Sequence, residues 1–82
     1  MELKILGNNQ TVVSFSYDFE LFYSYETPVA GFRAGLGYFK VDRYYSVTTG
    51  KHVNRYLGGI SPKVIGEEEL RNMIDLFSVR YQ

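Results

Sequence analysis

The chain contains no cysteine and no tryptophan, and only two prolines among its 82 residues. Without cysteine no disulfide can staple the fold, which argues against a small secreted scaffold and suits a reducing compartment. Net charge is missing as well, because nine Lys+Arg balance nine Asp+Glu. That balance removes the simplest case for a strongly basic nucleic-acid protein. No apolar run approaches the roughly 18 residues of a membrane span. The opening Met1-Glu2-Leu3-Lys4-Ile5-Leu6-Gly7 is too short an apolar stretch for a signal-peptide core, and no small-residue cleavage site follows. These absences predict a soluble, cytoplasmic chain with no membrane partner.

What is present is apolar and aromatic: 45% of residues are hydrophobic and 17% are Phe or Tyr. That is too much apolar surface for a solvated tail, so disorder is excluded. The length allows a single domain over residues 1–82 and no second core.

Two periods divide the chain. From Val13 to Tyr25 the odd positions are Val13, Phe15, Tyr17, Phe19, Leu21, Tyr23 and Tyr25, with mostly Ser, Asp and Glu between them. A period of two is the signature of strands with one buried and one wet face. Asp18 is poor inside a strand and good in a turn, so the run breaks near Tyr17-Asp18-Phe19. Gly7-Asn8-Asn9-Gln10 is a turn cluster joining a strand over Leu3–Leu6 to one over Thr11–Tyr17. Pro28 lacks a ladder donor, so Glu26-Thr27-Pro28 interrupts the sheet before a strand over Val29–Arg33. The glycines from Gly31 to Gly37 read as a hairpin turn, after which Tyr38–Val41 returns and Asp42–Tyr45 continues irregularly.

The spacing then becomes helical. Ser46-Val47-Thr48-Thr49 is rich in N-cap types, Val53, Tyr56 and Leu57 follow at helical intervals, and Gly58-Gly59 is a stop. This predicts a short helix near Thr49–Leu57. Leu70, Met73, Ile74, Phe77 and Tyr81 form one apolar stripe on a second helix. Glu67, Glu68 and Glu69 complement its positive end. Gly66 is its N-cap, and Ile65 and Leu70 are the jaws of a hydrophobic staple. The expected fold class is α+β: a small antiparallel sheet of four or five strands, then the short helix and the C-terminal amphipathic helix, both on one sheet face.

The zero net charge hides a segregation. Residues 1–26 carry −3, residues 27–66 carry +5 and residues 67–82 carry −2. The basic centre holds Arg33, Lys40, Arg43, Lys51 and Arg55 beside Tyr44, Tyr45 and Tyr56, and cations interleaved with aromatics suit phosphates and stacked bases. Thr48 and Thr49 add a helix start, whose free N–H groups favour an anion. Arg33, Lys40, Arg43, Tyr44, Tyr45, Thr48, Thr49, Lys51, His52 and Arg55 are therefore the candidate anion or nucleic-acid site. The bland alternative is that the acidic ends fold beside this segment and neutralise it. Asp18, Glu20 and Glu26 are the candidate acidic surface for a basic partner.

Catalysis finds little support. His52 is the single histidine, and neither Ser46 nor Asp42 stands at a spacing that makes a triad with it. The run Glu67-Glu68-Glu69 points its carboxylates in different directions, so no metal site is expected. Gly50-Lys51 is followed by His52, and Tyr45 stands where a phosphate loop needs its first glycine. The glycines at 31, 35 and 37 lack dinucleotide-loop spacing. No catalytic residue, metal or cofactor is expected.

Two segments together resemble a known group. Ser24-Tyr25-Glu26-Thr27-Pro28-Val29-Ala30 and Ser46-Val47-Thr48-Thr49-Gly50-Lys51-His52-Val53-Asn54 are similar to the motifs SY-x-TPVA and S-x-TT-x-KH-x-N of small uncharacterised bacteriophage and mobile-element proteins. The resemblance spans roughly residues 20–57, and it implies a phage-type origin in a bacterial host cell rather than a mechanism. Read by analogy, it implies a non-enzymatic binding protein: a stoichiometric inhibitor of a host defence component such as a CRISPR or other nuclease complex. The other reading is a nucleic-acid or nucleotide binding module built on residues 33–56. A host protein or nucleoprotein complex is the expected partner, and exposed sheet edges add the expectation of a homodimer.

Overall fold

A computed structural model describes residues 2–43 and 45–80, with side chains to residue 76. Five strands form a meander: β1 (Glu2–Gly7), β2 (Gln10–Ser16), β3 (Phe19–Ser24), β4 (Thr27–Arg33) and β5 (Gly37–Val41). Helix α1 (Val47–Leu57) then crosses over to β6 (Lys63–Ile65), and α2 (Glu67–Arg80) ends the fold. The sheet order is β1-β2-β3-β4-β5-β6. All neighbours are antiparallel except β5 and β6, which run parallel.

The α+β class is as expected, but the sheet is mixed and has six strands among the described residues. The sixth pairs Val41 with Ile65, and at three residues it is too short to display a period. The break ahead of β4 falls at Tyr25-Glu26, and Thr27 and Pro28 already belong to the strand. Gly31 is a strand residue too: it pairs with Leu21 and Phe39. A Cβ there would lie 2.4 Å from Glu20 O and 2.7 Å from Phe39 Cζ, so the Phe39 ring occupies the space a side chain would need.

The helices lie on opposite faces of the sheet, which corrects the two-layer expectation. Lys4, Val12, Phe22, Ala30 and Lys40 form one row across the strands, and Leu3, Val13, Leu21, Gly31 and Phe39 form the alternate row. Adjacent residues of a strand face opposite ways. Val12, Phe22, Val29 and Ala30 pack with Val53 and Leu57 of α1. Phe19, Leu21, Phe39, Val41 and Ile65 pack with Leu70 and Met73 of α2. The crossover uses one face, and the parity of Val41 and Ile65 draws the following helix to the other.

Capping chemistry sets the helix ends. Ser46 Oγ accepts the Thr49 N–H at 3.1 Å, so α1 starts at Val47, two residues before the predicted boundary. Gly58 closes α1 in the left-handed region, at φ 58°, and its N–H bonds Asn54 O. At the start of α2 the Gly66 carbonyl accepts the Leu70 N–H. Ile65 and Leu70 are both buried in one cluster, as the staple requires. Ile74 is packed against that cluster, whereas Tyr81 and the Phe77 side chain lie outside the described residues.

Candidate functional site

The two motif segments, separated by fifteen residues in the chain, meet at the start of α1. Ser24 ends β3, and its hydroxyl lies 3.2 Å from Thr49 Oγ1, to which it donates, and 2.9 Å from His52 Nδ1. Ser24 is 2% exposed, so this hydrogen-bonded group ties strand to helix and fixes the imidazole. Tyr25, next along, takes a positive φ of 59°, a conformation that is an outlier for a bulky side chain. Its N–H bonds Asn9 O at 2.8 Å, and its ring tilts against His52 at 5.9 Å.

Two clefts adjoin this tie. One, of about 170 Å³, is lined by Thr27, Arg43, Tyr45, Ser46 and Thr49. The Tyr45 hydroxyl points inward to the carbonyls of Val41 and Val29. Burial raises its phenol above the ordinary range, against the pull of the Arg43 charge. Arg43 pairs with Glu67 at the start of α2, so one acidic end of the chain does neutralise one cation of the basic centre.

The other cleft, of about 200 Å³, is lined by Gln10, Thr48, Lys51, His52 and Arg55. The four helix residues stand at i, i+3, i+4 and i+7 and so share one face. Thr48, Lys51 and Arg55 are exposed. Gln10 comes from β2, opposite Ser24 in the ladder. It is 5% exposed, and its Oε1 has no hydrogen-bond partner among the described residues. A buried carbonyl oxygen without a donor is costly. This cleft therefore combines cations at the rim with an imidazole and the buried Gln10 amide in the wall.

The remaining predicted residues are dispersed. Lys40 sits on the α1 side of the sheet, opposite Ala30. Arg33 ends β4, roughly 20 Å along the strand from Thr27 at about 3.3 Å per residue. Tyr44 lies outside the described residues. Of the acidic set, Asp18 and Glu20 are at one end of the sheet and Glu26 is in the turn at the other. Glu20 Oε2 accepts the Tyr56 hydroxyl at 2.6 Å. Tyr56 stacks on Phe22, with centroids 4.7 Å apart, and burial together with the Glu20 bond pushes its phenol far above the ordinary range.

Gln10, Ser24 and Thr27 were not among the predicted site residues. Ser24 and Thr27 carry a signal in the first motif, whereas Gln10 reads only as the end of a turn. Among the described residues no group of three or more His, Asp or Glu could hold a metal ion. Nor is any helix there long and apolar enough to cross a membrane.

Residues 1–72 match the profile of a family of unknown function, DUF8033. The chain belongs to that family. No curated protein and no solved structure matches it. The family match takes in both motif segments, both clefts and the first turns of α2, so the tie between β3 and α1 lies wholly within it.

Proposed function

We propose that this DUF8033 chain is a non-enzymatic binding protein of phage type, and that the Gln10–Arg55 cleft takes a phosphate-bearing ligand, a nucleotide or a single-stranded nucleic acid. The observation that carries this reading is the shared face of Thr48, Lys51, His52 and Arg55 on α1, whose exposed cations rim a cleft backed by the buried Gln10. The cations hold the phosphate, and the imidazole in the wall stands beside it. Thr48 adds a hydroxyl at the helix start, where the dipole favours an anion.

Fluorescence anisotropy with labelled single-stranded DNA, single-stranded RNA and a labelled ATP tests it. Lys51→Glu/Arg55→Glu is expected to weaken binding at least about tenfold. The wild-type affinity for single strands should fall with salt at a log–log slope of about −1.4, for two phosphate contacts. Absence of binding at low salt, or binding indifferent to the double charge reversal, would sink the proposal.

A second reading, inhibition of a host defence component such as a CRISPR or other nuclease complex, is favoured by the β2–β3 tip. Tyr17 is 94% exposed there beside Asp18, and Glu2 and Glu20 line an adjoining cleft of about 370 Å³. An aromatic anchor ringed by carboxylates suits a basic nucleic-acid channel. Native mass spectrometry on protein recovered gently from bacterial host lysate should then show a stoichiometric complex. Tyr17→Ala/Asp18→Lys should abolish it, and a complex that survives this change refutes the tip as the contact.

A further inference from the structure

Among the described residues strand β1 is an outer strand with one neighbour, β2, so its far side offers ladder groups that none of them pairs. It also carries exposed apolar side chains. Leu3 is 63% exposed and Ile5 72%, and both lie on the α2 side of the sheet, opposite Val13 and Thr11. Among the described residues, those packed around α2 begin with Phe15 on β2 and include none from β1. Lys4 and Glu2 point to the other side, in the rows of Val12 and Ser14.

We infer that β1 pairs antiparallel with β1 of a second copy of this chain, about a two-fold axis at Leu3. The choice of occupant and of register follows from charge. In a two-fold antiparallel pair, facing residues must share a side of the sheet, so the axis passes through a residue position. An axis at Lys4 sets Lys4 against Lys4, and like charges directly opposite are destabilising. An axis at Ile5 faces Lys4 with Leu6 and leaves Glu2 beyond the strand. An axis at Leu3 places each Glu2 opposite the other copy's Lys4, twice by symmetry, with Leu3 against Leu3 on the apolar side.

Lysine on an edge strand ordinarily deters pairing. Here it disfavours the axis at Lys4 and favours the one in which Glu2 answers it. The same two-fold brings Leu3 and Ile5 of both copies into one apolar strip. Association closes at two chains, because an isologous interface uses the same patch on each.

Sedimentation equilibrium on the full chain, from about 1 µM to about 1 mM, tests this by mass against the 9.5 kDa of one chain. The wild type is expected to approach twice that mass. Lys4→Glu and Glu2→Lys, each of which creates two like-charge pairs, should each weaken association about tenfold or more. The double exchange Glu2→Lys/Lys4→Glu restores complementarity and should restore the dimer. Far-UV circular dichroism checks that the singles remain folded. A single-chain mass throughout overturns the inference. So does a dimer that both single variants leave unchanged, or one that the double exchange fails to restore.

Discussion

Phe22→Ala is expected to be the most damaging single truncation in the chain, at about 3–5 kcal/mol. Phe22 is 0% exposed and sits at the centre of the α1-side cluster, among Val12, Val29, Ala30, Val53 and Leu57. Its ladder partner is Ala30, too small to refill the space, so the cavity stays open and the cost lies toward the upper end. The stack on Tyr56 goes with it, and that ring positions the hydroxyl bonded to Glu20. For a chain of this length the whole stability is about 4–12 kcal/mol, at 0.05–0.15 kcal/mol per residue. Each kcal/mol moves Tm by about 4–8 °C in a domain of this size, so a fall of at least about 12 °C is expected in calorimetry. Leu76→Ala, at a half-exposed position of α2, is the control and should stay within about 0.5 kcal/mol of wild type. If the two variants melt together, the α1-side packing described above is wrong.

That prediction bears on function, because Phe22 is what seats α1. Lys51, His52 and Arg55 reach their cleft from the outer face of a helix whose inner face is Val53 and Leu57. The helix face was legible from spacing alone, as was the meander, since alternation over Val13–Tyr25 has only one regular interpretation. The side of the sheet each helix takes was harder to read, although one signal was present. Leu21-Phe22 and Val29-Ala30 are adjacent apolar pairs, and in a strand neighbours normally face opposite ways. Strand β3 is thus apolar on both faces and needs a cover on each. At β4 a register shift beside Tyr23 brings Val29 and Ala30 to the same cluster, so that pair misleads where the other informs. Strand β6 was illegible because Lys63-Val64-Ile65 owes its conformation to pairing with β5, a tertiary interaction. Gln10 was illegible for the same kind of reason: only the β2–β3 register sets it opposite Ser24 and so beside His52.

Alkaline pH is expected to unfold the chain steeply. Tyr56, Tyr45 and Tyr23 all have phenols raised by burial above their ordinary value of 10.0. At Tyr56 the hydrogen bond to the Glu20 carboxylate and the negative charge behind it raise the phenol further. In the unfolded chain the same groups ionise near pH 10. Below that value both states keep the proton, and stability does not depend on these groups. Above it the unfolded chain releases protons that the folded chain retains, so every further rise in pH favours unfolding. Tyr56 alone contributes a slope of up to about 1.4 kcal/mol per pH unit. Tyr23 and Tyr45 act in the same direction, weakened by the solvent that reaches them. Urea midpoints measured from about pH 8 to about pH 11.5 should therefore be level at first and then fall. Tyr56→Phe should lower the plateau by about 1.5–3 kcal/mol, the worth of a hydrogen bond to a charged group, and flatten the descent beyond it. A descent equally steep in Tyr56→Phe would mean that the Tyr56–Glu20 contact does not hold its proton in solution.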